Sequence, residues 1–142
     1  MLTDIKLINN GLLSVRISKR CAGSDCCLKH EPERLLKEIK YLCVKNNVNK
    51  VLINACRTCD ESSNTYAQFE LGKIFAKVIN GSGIMTGVYG NCSYFTHFTE
   101  TVAVNRGSVI KVSDKKDELI KWFDLDISNL QSSTFKNKPL RK

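Results

Sequence analysis

The chain has 142 residues, 42% of them hydrophobic and 25% charged, with 22 lysines and arginines against 14 acids and a formal net charge of +8. That length supports one compact domain with a core of its own and excludes two ordinary domains, while the composition excludes a disordered chain. Residues 1–15 hold no cationic segment followed by a continuous apolar run, and no later apolar stretch is long enough to span a bilayer, so neither a secretory signal nor a membrane span is expected and the expected location is cytoplasmic.

The positive charge invites an anionic partner, but its distribution argues against nucleic acid. Lysines fall on every predicted helix, as on any solvated helix face, and no segment interleaves aromatic and basic residues. Seven cysteines would suggest disulfides in a small secreted chain. An odd number without an export signal reads instead as free thiols or ligands.

In chain order, Asp4 to Asn9 and Leu12 to Ser18 alternate in hydropathy around Asn10-Gly11, which predicts an N-terminal β-hairpin. Residues 19–31 are polar and irregular, contain Cys21, Cys26, Cys27 and His30, and read as a loop. Pro32 suits the first turn of a helix, whose apolar stripe is Leu35, Leu36, Ile39, Leu42 and Cys43, with Lys37, Glu38 and Lys40 outside. Asn46-Asn47 ends it.

The central stretch is Asn49 to Ile79. A strand over 48–55, short and β-branched, reads as covered on both faces. A polar turn with Cys56 and Cys59 follows, then a helix started by a capping box at Thr65 and Gln68 and burying Ala67, Leu71, Ile74, Phe75 and Val78. Asn80-Gly81-Ser82-Gly83 stops that helix, and residues 84–89 form the next strand, leading into Gly90-Asn91-Cys92. Phe95, Phe98, Val102 and Ala103 mark a third helix that Gly107 closes in a left-handed conformation. A strand over 108–112 and a helix over 114–123 complete the unit. Strand and helix alternate, so the fold class is α/β with a mostly parallel sheet. The domain is expected to run from 1 to 124. Residues 125–142 lose the apolar period and form a loosely held, basic tail.

The run Phe98-Thr99-Glu100-Thr101-Val102-Ala103-Val104-Asn105-Arg106-Gly107, the strand after it and the short helix bearing Trp122 resemble the STAS-like family, small α/β domains of the anti-sigma-factor antagonist fold. The likeness reaches back through Phe69-Glu70-Leu71-Gly72 and the strand at Val51 to Ala55, covering most of residues 1–124. It implies five strands in sequential order with the crossover helices mainly on one side, and a role in protein–protein regulation or in binding an apolar ligand. The Phe, Glu, Arg-Gly and Trp positions of the likeness read as packing and capping elements. Phosphorylatable antagonists of the wider superfamily carry Asp-Ser-Ser-Gly-Leu where the central strand meets its helix. This chain has Asp60-Glu61-Ser62-Ser63-Asn64, a partial match in which the serines suit helix capping better than a switch.

In a parallel sheet, Cys21, Cys26, Cys27, Cys56, Cys59 and Cys92 would all follow strands at one edge, leaving Cys43 on a helix's apolar stripe. Three readings compete. A zinc site could draw on Cys56, Cys59, Cys26, Cys27 and His30, though a second tight pair is missing. Thiol redox chemistry could use Cys56-x-x-Cys59, but Asp60 and Glu61 disfavour a thiolate and no proline is placed to face the motif. The third reading has small, slightly apolar residues filling loop ends.

The expectation is therefore a non-catalytic binding or regulatory module without a required cofactor. Its surface comprises Cys56, Cys59, Asp60, Ser62, Ser63, Asn91 and Cys92, at the crevice beyond the carboxyl ends of the strands, and its partner is a protein or a small apolar ligand. The alternative is a thiol-dependent metal-binding or redox protein using the same edge.

Overall fold

The computed structural model describes residues 3–8, 11–17, 32–55, 65–90 and 95–124. In chain order the elements are β1 (Thr3–Ile8), β2 (Leu12–Ile17), α1 (Pro32–Asn46), β3 (Lys50–Asn54), α2 (Thr65–Ile79), β4 (Met85–Tyr89), α3 (His97–Asn105), β5 (Val109–Ser113) and α4 (Lys116–Trp122). Strands β2 to β5 form a parallel sheet in sequential order. The β1 segment lies antiparallel beside β2, from Thr3 opposite Ile17 to Ile8 opposite Leu12. Residues 9 and 10 lie outside the described set, so of the expected Asn10-Gly11 turn only Gly11 is seen, at φ +77°.

Register decides what each face of the sheet carries. Leu13, Val51, Thr86 and Ile110 sit side by side, as do Val15, Ile53, Val88 and Val112. Apart from Thr86 these are apolar, and all are buried. They pack with Leu35, Leu36, Ile39 and Cys43 of α1, Leu71, Phe75, Val78 and Ile79 of α2, and Ala103 of α3 in one large core. Three helices thus share one face. The residues one step along each strand point the other way. There Leu12 and Leu52 join Leu119, Ile120 and Phe123 in a smaller cluster. Among the described residues, α4 is the one helix on that side.

Helix ends follow local chemistry. Asn47 takes φ +56° after α1, and the Val48 N–H returns to the Cys43 carbonyl at 2.9 Å, a left-handed stop that asparagine tolerates. Gly107 does the same after α3 at φ +97°, with the Ser108 N–H donating to the Ala103 carbonyl. Gly72 has a different role. A Cβ there would lie 2.8 Å from the Val102 side chain and 2.9 Å from the Thr99 carbonyl oxygen, so its bare Cα lets α2 and α3 pack closely.

Several expectations need correction. Thr65 is the first residue of α2 rather than its cap, and the Gln68 side-chain oxygen accepts a hydrogen bond from the Thr96 hydroxyl at 2.8 Å. The capping box belongs to α3: the Thr99 N–H donates to the Thr96 hydroxyl, and the Thr96 N–H donates to the Thr99 hydroxyl. Phe98 is exposed, whereas Thr99 takes the buried place on α3 beside Val102 and Ala103. The fourth helix spans seven residues, starting at Lys116 rather than 114.

Candidate functional site

Because β2, β3 and β4 are parallel neighbours, their carboxyl ends meet at one edge of the sheet. Segments 18–31, 56–64 and 91–94 leave the chain's described part from those three ends. Every residue expected to form the site belongs to them. Cys26, Cys27 and His30 lie in the first, Cys56, Cys59, Asp60, Ser62 and Ser63 in the second, and Asn91 and Cys92 in the third, all outside the described residues. The basic tail from 125 also lies outside them.

The strand ends themselves are described. Arg16 is opposite Asn54, Asn54 opposite Tyr89, and Tyr89 opposite Ser113, giving a polar row across four strands at the carboxyl edge. Arg16 is exposed, Asn54 and Tyr89 are half-buried, and Ser113 is buried. The sheet continues one bond further where the Ala55 N–H donates to the Tyr89 carbonyl at 2.9 Å. Beyond Tyr89, Gly90 adopts φ +122°, a conformation that side chains disfavour.

This row escapes sequence reading because its members are 16, 54, 89 and 113 in the chain, and strand register alone makes them neighbours. The row lies on the α4 side of the sheet. One step back along the strands come Ser14, Leu52, Gly87 and Lys111, and behind them Leu12, Lys50, Met85 and Val109, so polarity rises towards the carboxyl edge.

Two hydrogen-bonded clusters hold this edge in place. Thr96 joins Gln68 of α2 to the start of α3, and Glu100 reaches from α3 to β5, its carboxylate accepting the Val112 N–H at 2.7 Å. On the other face the Ser113 hydroxyl donates to Glu118 at 2.6 Å and accepts the Lys115 N–H at 3.0 Å. The hydroxyl bond, helped by nearby lysines, lowers the Glu118 pKa from its usual 4.5. His97 lies on the surface, its Nδ1 3.7 Å from Glu100. Trp122 packs tilted against Phe123, ring centroids 5.3 Å apart, on the smaller cluster. Glu100, Gly107 and Trp122 therefore do structural work.

Cys43 is the one cysteine within the described residues, buried in the large core. Desolvation pushes its thiol up to about 11, which keeps it protonated at neutral pH and makes it unsuited to nucleophilic or ligand chemistry. Among the described residues no group of three or more His, Cys, Asp and Glu side chains could hold a metal ion, and no helix is long and apolar enough to cross a membrane.

Comparison of the chain with models of known families, with curated proteins and with solved structures gives no match. The likeness to STAS-like domains rests on the quoted residues alone.

Proposed function

We propose that this chain is a non-catalytic binding module of the STAS-like type, its sheet completed by an N-terminal hairpin, acting through the carboxyl edge of the parallel strands on a protein partner or a small apolar ligand. The observation that carries the reading is that three connecting segments start from adjacent strand ends, at the edge that carries the row Arg16, Asn54, Tyr89 and Ser113. Crevices of this kind at the carboxyl ends of parallel strands are where α/β sheets bind ligands. The chemistry this row offers is amide, phenol and guanidinium, the Ser113 hydroxyl being committed to Glu118 and the Lys115 amide.

The same arrangement supports a second reading, because those segments contain six of the seven cysteines. A thiol-dependent metal or redox protein would use Cys56 and Cys59, with Cys26, Cys27 and His30 as further zinc ligands. One experiment separates the two. Protein purified without oxygen is analysed for bound metal and its free thiols are titrated before and after denaturation. A binding module contains no stoichiometric metal, and the double variant Cys56→Ser, Cys59→Ser keeps its partner. One equivalent of metal, lost in that variant, would replace the first reading with the second. A photo-crosslinker at position 89 captures the partner or ligand, whereas one at position 85, the opposite end of the same strand, does not.

A further inference from the structure

The α4 side of the sheet is covered unevenly. Helix α4 lies against β4 and β5, and its Leu119 and Phe123 approach Gly87. Its cluster nevertheless reaches Leu52 on β3 and Leu12 on β2, which are 3% and 2% exposed. Around those two leucines the strip formed by β2 and β3 carries Ser14, Arg16, Lys50 and Asn54, none of them buried.

The charge of this strip is one-sided. Across β2 to β5 the α4 side carries Arg16, Lys50 and Lys111 and, among the described residues, no acid. In β1, register sets Asp4 opposite Arg16 and Lys6 opposite Ser14, which adds one charge of each sign. Asp114, Asp117 and Glu118 belong to the start of α4, where Glu118 takes the Ser113 hydroxyl and has Lys111 near it. Arg16 and Lys50 lie at the other side of the face.

The chain supplies a complement. Asp124 takes φ +64° and donates its N–H to the Lys121 carbonyl at 2.9 Å, so α4 stops directly after Phe123, which shares a cluster with Leu52 and Leu12. Residues 125–130 lie outside the described residues. Their sequence, Leu125-Asp126-Ile127-Ser128-Asn129-Leu130, contains no base, whereas the cations of the tail begin at Lys136. Leu125 and Ile127 alternate with Asp124 and Asp126, so an extended segment presents both apolar side chains on one side. Three extended residues cover about 10 Å, or two strand spacings, which is the distance from β4 across β3 to β2.

We infer that residues 125–130 dock across β3 and β2 on the α4 side of the sheet, Leu125 and Ile127 closing the smaller cluster over Leu52 and Leu12 and the aspartates lying between Lys50 and Arg16. Lys50 lies four residues before Asn54, the partner of Arg16, so the two cations stand about 13 Å apart along the strands and flank a segment that crosses between them. Their long stems can lie along its apolar side chains with the charged ends free to meet carboxylates. A separate chain would compete here with a segment tethered at Asp124, whose effective concentration is about millimolar. The docked segment walls the row Arg16, Asn54 and Tyr89 on this side, so a ligand reaches that row from the carboxyl edge. The packing itself holds whether or not that edge binds anything.

The test is nuclear magnetic resonance on the full-length protein. Methyl contacts from Leu125 and Ile127 to Leu52 and Leu12 are expected, with backbone order parameters for 125–130 near the rigid value of about 0.85. Leu125→Ser with Ile127→Ser should lower those order parameters below about 0.6. The Val15 and Ile53 methyl signals should stay in place in that variant, showing that the large core remains folded. Leu140→Ser, in the basic part of the tail, should change neither readout. Asp126→Lys should lower the docked-to-free ratio about two- to fivefold, read from the Ile127 methyl shift. Order parameters below about 0.6 in the natural protein would overturn the inference. So would contacts from Leu125 and Ile127 to residues of α1 or α2, or contacts that arise only between differently labelled copies of the chain.

Discussion

The two faces of the sheet are made by the same strands, and adjacent residues on each strand serve opposite ends. Beneath α1, α2 and α3 the residues are buried and nearly all apolar, from Leu13 across to Ile110 and from Val15 across to Val112. Beneath α4 they are mixed, with Ser14, Arg16, Lys50, Asn54 and Lys111 among Leu12, Leu52 and Met85, and the helix covering them has seven residues. Hydrophobic burial scales with the apolar area removed from water, so the first face contributes most of the stability. The second has less to lose by being polar, and it is there that the row Arg16, Asn54, Tyr89 and Ser113 sits.

The comparison can be broken most severely at Phe75, fully buried in the large core. Phe75→Ala should cost about 3–5 kcal/mol, read as a fall in the denaturant midpoint. A pair of glycines sharpens it further. At Gly72 a new Cβ would press on the Val102 Cβ and on a backbone oxygen, so α2 and α3 must separate, and Gly72→Ala is expected to cost about 1–3 kcal/mol despite the better helix propensity of alanine. At Gly87 it would meet the Phe123 ring tip at 3.1 Å and the Leu119 methyls at 3.3 Å, ends of side chains that can turn aside. Gly87→Ala should cost under about 1 kcal/mol. Equal losses at the two sites would mean that α4 is held as rigidly as the three-helix layer.

The smallest effects are those of pH, and the two faces respond at opposite ends of the scale. Cys43, in the large core, has its thiol raised from 9.0 to about 11, so the native state keeps a proton that the unfolded chain gives up. Its contribution is intact below pH 9 and lost as pH rises towards 11. Glu118, on α4, has a lowered pKa, so its contribution is intact above 4.5 and lost as pH falls through the lowered value. Melting curves of Cys43→Ala and Glu118→Gln should flatten the alkaline and acid limbs respectively. In the native protein near neutral pH, Cys43 should also resist thiol reagents until denaturant is added.

Much of this fold is legible in the chain because local chemistry and tertiary packing agree. The β-branched run at Val51 to Ile53 is buried on both faces, and Asn47 and Gly107 stop their helices as their residue types allow. Where reading fails, a polar residue occupies an apolar role. Thr99 is fully buried at a position where periodicity favours Phe98, and the Thr96 box closes with threonine where glutamate or glutamine is the usual signal. The row at the carboxyl edge is illegible for another reason: no local pattern links Arg16 to Asn54, Tyr89 and Ser113, which meet through strand pairing alone. The connecting segments expected to complete the site lie outside the described residues.

The bond from the Val112 amide to Glu100 has a consequence for assembly. An outer strand with unmet amide hydrogens is an invitation to another chain, and a sheet open at both ends can be copied indefinitely. Here a carboxylate occupies the donor near the end of β5, so a newcomer must first evict a charged group already satisfied. That carboxylate therefore raises the cost of adding a strand at the β5 edge.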